Sequence, residues 1–436
     1  MKVVIMAGGR GKRLGSLSEQ IPKPLVKIQG VPILERELVC LREQGFTEII
    51  LTVGYLGNAI RDYFGDGSLV SPVTNKPLGV HIEYYFEKEP MGNAGALFRL
   101  KKHLTDDFLL LNADSLFDVD LRRLVAFHQD KHALATILSH PNSHPYDSGL
   151  LIAADNGEVK EWLTKEDQRP QWYKNRVNAG IHVISRELLE QEMPNGKVDL
   201  DRQLLKPLAG TGKLYCYDST EYVKDMGTPE RLAQVESDIR SGLVQSRSRR
   251  NLRRAVFLDR DGVLNRYVGY VRKPEELELL PGVPEAIRRI NAAGYLAIVV
   301  TNQPVLARGD VTWSQFDEIN ARLETLLGLD GAYVDAVYVC PHHPDKGFAG
   351  EVSELKIECN CRKPQPGMLI EAAEKYNLNL KECWMVGDSE RDIQAGLKAG
   401  TKTALLQGQG TSLQLGDCGQ DEAHDSLLDF VNRRGW

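Results

Sequence analysis

No stretch of the 436-residue chain approaches the roughly eighteen uninterrupted apolar residues that a bilayer span requires, so no transmembrane helix is expected. The first apolar run, Met1 to Ala7, is too short for a secretory h-region and meets glycines at once, which makes the cytoplasm the expected location. Cysteine is scarce. The seven cysteines, an odd and unevenly spread set, do not make a disulfide framework in a chain of this size. An excess of one charge is lacking too: 60 acidic residues against 54 basic ones give a net charge of -6, so no global field recruits nucleic acid or an anionic membrane. Anions are to be bound by local clusters. No repeat of fixed period and no low-complexity tract stands out beyond one basic stretch.

What is present is ordinary globular composition, 42% hydrophobic and 26% charged, with enough apolar mass for a core in each of two or three domains. The clearest break is Arg240 to Arg254, with six arginines, three serines and no acid. It reads as a solvated linker over 240–253 between domains 1–239 and 254–436. Both halves alternate short apolar β-rich runs with helical patterns, which predicts α/β domains with parallel sheets and chemistry at the C-terminal strand ends. In the first half, strands are expected at Lys2 to Met6, Glu48 to Val53, Ile82 to Phe86, Phe108 to Asn112 and Ala133 to Leu138. In the second half they are expected at Ala255 to Leu258, Leu296 to Thr301, Ala336 to Cys340, Cys383 to Val386 and Thr403 to Leu406.

The first expected strand runs into Ala7-Gly8-Gly9-Arg10-Gly11-Lys12-Arg13, where glycine amides can approach a triphosphate closely and cations supply charge. It is neither G-x-G-x-x-G nor a P-loop. Pro22-Lys23-Pro24 then fixes a lysine between two prolines, a rigidity that suits a lysine aimed at phosphate. Together these segments resemble the sugar-1-phosphate nucleotidyltransferases, and the resemblance continues over most of residues 1 to 235. Glu89 to Leu97, with Gly92, matches the segment that contacts the nucleoside, and Asn178 to Ile181 matches the sugar-binding strand. Asn112-Ala113-Asp114 and Lys224-Asp225 match the metal-binding segments. Asn93 stands where threonine is usual in that family, and Ala113 where glycine is usual. The resemblance implies a Rossmann-like, glycosyltransferase-A-like domain in which Asp114 and Asp225 bind Mg2+. Arg13 and Lys23 would act on the reacting phosphates, with Gly8, Gly9, Arg10, Gly11, Gly92 and Asn178 holding substrate.

In the second half, Leu258-Asp259-Arg260-Asp261-Gly262 puts two carboxylates two residues apart behind a strand, where period-two alternation turns both to one side. One can serve as nucleophile and the other as acid/base. The pattern resembles the haloacid dehalogenase-type phosphotransferases, whose further motifs follow in order as Thr301-Asn302, Arg362-Lys363 and Gly387-Asp388. The resemblance implies a Rossmannoid phosphatase domain with an aspartyl-phosphate at Asp259 and acid/base work by Asp261. Mg2+ would be held by Asp259, Asp261 and Asp388, and phosphate by Thr301, Asn302, Arg362 and Lys363. Asp392 is expected to orient Asp388 or Lys363.

Cys340-Pro341-His342-His343 and Cys359-Asn360-Cys361 provide three thiols and an imidazole, a soft donor set suited to tetrahedral Zn2+. This insert is similar to that of the heptose-bisphosphate and histidinol-phosphate phosphatases. That likeness implies Cys340, His342, Cys359 and Cys361 as the ligands of a structural zinc that shapes a specificity loop. Pro304-Val305 stands where the heptose-bisphosphate branch has Ser-Gly. The expected protein is a bifunctional cytoplasmic enzyme that takes a nucleoside triphosphate, GTP first, and phosphorylated sugars, with Mg2+ in both domains. The alternatives are mannose 1-phosphate or N-acetylmuramate 1-phosphate as the first sugar, histidinol phosphate as the second substrate, or a non-catalytic sugar-nucleotide-binding half.

Overall fold

A computed structural model describes residues 1–9, 21–71, 73–193, 196–408 and 417–436. They form two compact units: Met1–His140, Gly149–Thr164 and Asn178–Gln245 make the first, and Pro141–Ser148, Lys165–Val177 and Ser246–Trp436 make the second.

The first unit is built from β1 (Val3–Ala7), α1 (Ile33–Glu43), β2 (Glu48–Val53), β3 (His81–Phe86), β4 (Phe108–Asn112), β5 (Ser115–Asp118) and β6 (Ala135–His140). β7 (Leu150–Ala153), β8 (Val159–Leu163), β9 (Val177–Ile184), β10 (Leu214–Asp218) and β11 (Tyr222–Asp225) follow. The main sheet runs β8-β7-β9-β4-β1-β2-β3, with β6 pairing β9 and β10. β1 is central and parallel to both β2 and β4, and all three are apolar almost throughout because both faces are covered. β9 is antiparallel to β4, and β7 to β8, so the sheet is mixed where a parallel one was expected. The five residues between β7 and β8 explain the second pairing: a turn closed by the Gly157 amide on the Ala154 carbonyl is far too short for a parallel crossover. β5 and β11 pair separately and antiparallel, with Asp225 opposite Ser115.

The second unit contains β12 (Arg254–Leu258), β13 (Tyr295–Asn302), α2 (Trp313–Leu329), β14 (Ala336–Cys340), β15 (Trp384–Gly387), α3 (Glu390–Ala399), β16 (Lys402–Leu406) and β17 (Glu422–His424). Its sheet is parallel throughout, in the order β14-β13-β12-β15-β16-β17. Along β12 the side chains alternate: Ala255 and Phe257 enter one apolar layer, Val256 and Leu258 the other. Phe257 is fully buried, so truncation to alanine there costs about 3–5 kcal/mol. The central strand is thereby fixed, and its C-terminal end carries the carboxylates.

The basic stretch differs from a solvated connector. A helical turn, Leu243–Arg247, forms within it. Arg247 is buried and donates to Asp335 at 2.6 Å, and buried Arg253 donates to the Tyr376 carbonyl at 2.8 Å. A cation leaves water only when it is paired or hydrogen-bonded, and both of these are. Among the described residues no helix is long and apolar enough to cross a membrane.

Candidate active sites

β1 delivers Gly8 and Gly9 to the edge of the first site. A Cβ on Gly8 would stand 3.3 Å from the Glu87 carboxylate, a tight contact that this carboxylate relieves only by shifting a few tenths of an ångström. Arg10, Gly11 and Arg13 lie outside the described residues. Lys23 sits in a single turn, Lys23–Leu25, set by the flanking prolines; it is buried and ion-paired with Asp114. Asp114 follows β4, and its carbonyl accepts from the Met226 amide at 2.9 Å, just beyond Asp225. With Asp225 opposite Ser115, both carboxylates leave neighbouring positions at one end of the β5–β11 pair. Burial pushes the Asp225 carboxyl up, but the Arg231 ion pair and the Gly227 amide outweigh it and hold it below the usual carboxylate range.

Sequence reasoning passed over Glu37 on α1. Its Oε1 accepts from the Ser115 amide at 3.2 Å, directly after Asp114, and burial pushes its carboxyl well above the usual range. An acid on an amphipathic helix reads as solvated from pattern alone.

Gly92 has φ +84°, and a Cβ there would lie 2.2 Å from the Val198 carbonyl oxygen. Only glycine fits. Next to it, Asn93 Oδ1 accepts from the Leu200 amide at 2.7 Å, so the residue that departs from the family pattern locks this loop. Asn178 Oδ1 accepts from Gly180 N at 2.8 Å, and its Nδ2 lies 3.5 Å from Asp201 Oδ1. Burial, then the charge of Asp199, pushes Asp201 up to about 6. A Cβ on Gly180 would meet the Asn112 amide at 2.8 Å, which brings the Asn178 strand to the sheet end that carries Asp114.

In the second unit β12 presents Asp259, whose amide bonds the Val386 carbonyl of β15 at 3.0 Å. The Lys363 ammonium lies 2.9 Å from Asp259 and 2.6 Å from Asp392. Asp259, Asp388 and Asp392 bring carboxylate oxygens within 4.8 Å of one another, an oxygen-donor set that fits a hard cation. A Cβ on Gly262, at φ +87°, would fall 1.9 Å from Asp388 Oδ2, so the cradle requires glycine. Burial first, then Asp392, pushes the Asp259 carboxyl up to about 8 against the pull of Lys363.

Asp261 behaves in the opposite way. Burial raises it, but Arg260, Asn265 and Gln303 together hold it below the usual range. Arg260 Nη2 reaches Asp261 Oδ2 at 2.9 Å, Asn265 Nδ2 reaches Oδ1 at 2.9 Å, and Gln303 Nε2 reaches Oδ2 at 2.8 Å. Strand alternation turns Arg260 away from its neighbours, and sequence reasoning gave it no role; the fully buried guanidinium nonetheless folds back onto Asp261. Gln303 also bonds buried Thr301 at 2.9 Å, and Asn302 exchanges two hydrogen bonds with the Lys363 backbone, at 2.9 and 3.0 Å. Arg362 donates to the His342 carbonyl at 3.0 Å.

That contact leads to the thiol cluster. Cys361 Sγ lies 3.2 Å from both Cys340 and Cys359 and 3.3 Å from His342 Nδ1. Tetrahedral zinc with bonds of about 2.3 Å to sulfur asks for sulfurs a little under 4 Å apart, so the four donors fit that ion. The hydrogen bond with Cys340 pulls the Cys361 thiol down to about 5 against burial, with Cys359 and His342 adding to the effect. His343 stands outside the cluster.

Residues 2–242 match the nucleotidyl transferase family, and residues 196–400 match the haloacid dehalogenase-like hydrolases. The chain is 38% identical over 178 residues to the D-glycero-beta-D-manno-heptose-1,7-bisphosphate 7-phosphatase of Yersinia pestis, covering 40% of this chain and 92% of that one. It is 43% identical over 153 residues to the D-glycero-alpha-D-manno-heptose-1,7-bisphosphate 7-phosphatase of Burkholderia mallei, covering 35% and 79%. A solved structure of HddC from Yersinia pseudotuberculosis, complexed with GMP-PN, is 26% identical and matches 55% of this chain and 99% of that one at a TM-score of 0.46. The chain is a bifunctional enzyme that belongs to the nucleotidyl transferases through residues 2–242 and, through its C-terminal part, to the heptose-1,7-bisphosphate 7-phosphatases.

Proposed function

We propose that residues 254–436 hydrolyse the 7-phosphate of D-glycero-D-manno-heptose 1,7-bisphosphate in the cytoplasm. Residues 1–239 then join the remaining heptose 1-phosphate to a nucleotide, taken from GTP, giving GDP-heptose and pyrophosphate. The observation that carries this reading is an Asp259–Lys363–Asp392 array, with Lys363 and Asp392 buried, beside Asp261, on a chain whose phosphatase relatives are named for that bisphosphate. The chemistry links the halves: removal of the 7-phosphate leaves an anomeric phosphate, and an anomeric phosphate is the nucleophile that nucleotidyl transfer uses.

In the phosphatase, an Asp259 oxygen bonds the 7-phosphorus as the bond from phosphorus to the sugar oxygen breaks, and Asp261, ionised in the free site and protonated by the incoming phosphate monoanion, passes that proton to the leaving alkoxide. Water then attacks the aspartyl-phosphate, Asp261 takes a water proton, and phosphate leaves. Lys363, Thr301, Asn302 and Arg362 hold the phosphate. In the transferase, an oxygen of the sugar 1-phosphate attacks the α-phosphorus in line and pyrophosphate departs. Gly8, Gly9, Arg10, Gly11 and Gly92 seat the nucleotide, Asn178 the sugar, and Arg13 and Lys23 offset the developing charge. Mg2+ is assigned to Asp114 and Asp225 in one half and to Asp259, the Asp261 carbonyl and Asp388 in the other; when bound it neutralises and aligns phosphate oxygens. A structural Zn2+ is assigned to Cys340, His342, Cys359 and Cys361.

The test is Asp259→Asn in the full chain. The reading expects no phosphate release from the bisphosphate and unchanged pyrophosphate release from GTP and supplied heptose 1-phosphate. Joint loss of both activities in a folded variant contradicts it.

A further inference from the structure

Within the first unit β5 begins directly after Asp114, and α1 packs against it. Three successive residues tie that corner down. The Ala113 amide donates to the Met6 carbonyl of β1 at 3.2 Å, the Asp114 carbonyl accepts from the Met226 amide at 2.9 Å, and the Ser115 amide donates to Glu37 Oε1 at 3.2 Å. The first two are bonds between backbone groups, open to almost any sequence. The third depends on one side chain.

Glu37 stands where helix periodicity asks for an apolar residue. Its neighbours one turn away on α1, Ile33, Leu34, Cys40 and Leu41, are all buried, and Glu37 itself is 1% exposed. Its other oxygen, Oε2, has no hydrogen-bond partner among the described residues. Glu35, two positions earlier and also buried, differs: Tyr63 and Thr74 donate to its two oxygens at 3.0 and 3.1 Å. A buried carboxyl with a single hydrogen bond is destabilising, and a leucine of similar size would be better tolerated there. Departures from packing rules collect at functional sites. What Glu37 secures is one amide, and that amide belongs to the residue joining Asp114 to the β5–β11 pair.

We infer that Glu37 is a positioning residue for nucleotidyl transfer, acting on the Mg2+ site through the backbone of the Asp114 corner. By holding the Ser115 amide it sets the direction in which Asp114 leaves β4 and its spacing from Asp225, which faces Ser115 across the pair. Release of that amide loosens the Asp114 carboxylate and weakens its hold on the cation, as loss of an outer-shell partner does at metal sites. The inference rests on the functional reading above, which gives Asp114 and Asp225 to Mg2+.

The experiment uses the full chain with Glu37→Leu, which removes the acceptor at similar volume, and Glu37→Gln, which keeps it. The readouts are the Mg2+ concentration that half-saturates pyrophosphate release from GTP and supplied heptose 1-phosphate, the melting temperature of the first unit, and Mn2+ binding followed by electron paramagnetic resonance. The Mn2+ titrations are made in an Asp388→Asn background, so that the cation site of the second unit does not contribute. In Glu37→Leu the half-saturating Mg2+ and the Mn2+ dissociation constant are expected to rise about tenfold or more. Melting stays within about 4 °C of the native chain, because the lost hydrogen bond is offset by removal of a buried carboxyl. Glu37→Gln is expected to stay within about twofold of the native metal constants. Unchanged metal constants in a folded Glu37→Leu chain overturn the inference, whether or not its melting temperature falls, since a merely structural carboxyl would behave that way. A Glu37→Gln chain as impaired as Glu37→Leu overturns it too, because the acceptor is then not what matters. Should Glu37→Leu fail to fold, Glu37→Asp, one methylene short of the amide, takes its place: both metal constants are expected to rise at least about threefold, and no rise overturns the inference. A native chain that neither transfers nor binds Mn2+ in the Asp388→Asn background marks failure of the functional reading instead.

Discussion

The Lys363 ammonium stands 2.9 Å from the Asp259 carboxylate, with both groups withdrawn from bulk water. Asp392, at 2.6 Å from the same nitrogen, makes the cation the hub of two acids. Lys363→Met leaves those carboxylates facing each other without a counter-charge, which favours a protonated, non-nucleophilic Asp259. The expected loss of phosphatase kcat is about 100-fold to 1,000-fold, with nucleotidyl transfer unchanged. Lys363→Arg is not expected to rescue it, because the lysine is 2% exposed and the wider guanidinium has no room. Phosphate release by the two variants checks both statements.

Gly262→Ala makes a sharper steric test. Its Cβ would overlap Asp388 Oδ2 at 1.9 Å, and its φ of +87° is strained for alanine. Phosphatase activity is expected to fall at least about 100-fold and to be recovered only in part by high Mg2+. Full activity would mean that Asp388 is not held where the backbone places it.

If zinc ties Cys340, His342, Cys359 and Cys361 together, the purified protein carries about one zinc per chain, and Cys359→Ser or chelation lowers the melting temperature of the second unit. Because the cluster leads into Arg362 and Lys363, phosphatase KM is expected to rise before kcat falls. Elemental analysis with calorimetry measures this, and Cys216→Ser in the first unit is the control.

His182 gives a pH dependence unrelated to catalysis. Burial holds its imidazole down to about 4, against 6.5 in the unfolded chain. The unfolded state therefore takes up the proton first. The contribution is constant above pH 6.5, is lost as the pH falls from 6.5 towards 4, and amounts to about 3 kcal/mol. Urea midpoints for the first unit are expected to drop across that window, and His182→Leu is expected to flatten the drop.

The parts of the fold visible in the sequence are those that burial makes simple. Glu48–Val53 and Phe108–Asn112 are almost wholly apolar runs covered on both faces, Ala336–Cys340 is an apolar run at a sheet edge, and all three are strands within the expected limits. Leu150–Ala153, at four residues, is too short to stand out, and Val159–Leu163 and Tyr222–Asp225 carry charged residues among the apolar ones, so no run marks these antiparallel strands. The resemblance carried by the motifs around Asp259, Asp261, Lys363 and Asp388 pointed to the phosphatase family to which the relatives belong. Arg260, Gln303 and Glu37 were not legible, because each reaches its partner through a side-chain direction that periodicity does not encode. Arg247 and Arg253 misled for a related reason: a run of arginines looks solvated until the fold supplies Asp335 and the Tyr376 carbonyl.

The central claim is that one chain performs two consecutive steps. Purified protein is given D-glycero-D-manno-heptose 1,7-bisphosphate, Mg2+ and each of GTP, ATP, CTP and UTP in turn, while phosphate and pyrophosphate are followed together. The account predicts phosphate release with all four, followed by equimolar pyrophosphate and a nucleotide-heptose with GTP. Phosphate release without pyrophosphate from any nucleotide would contradict it.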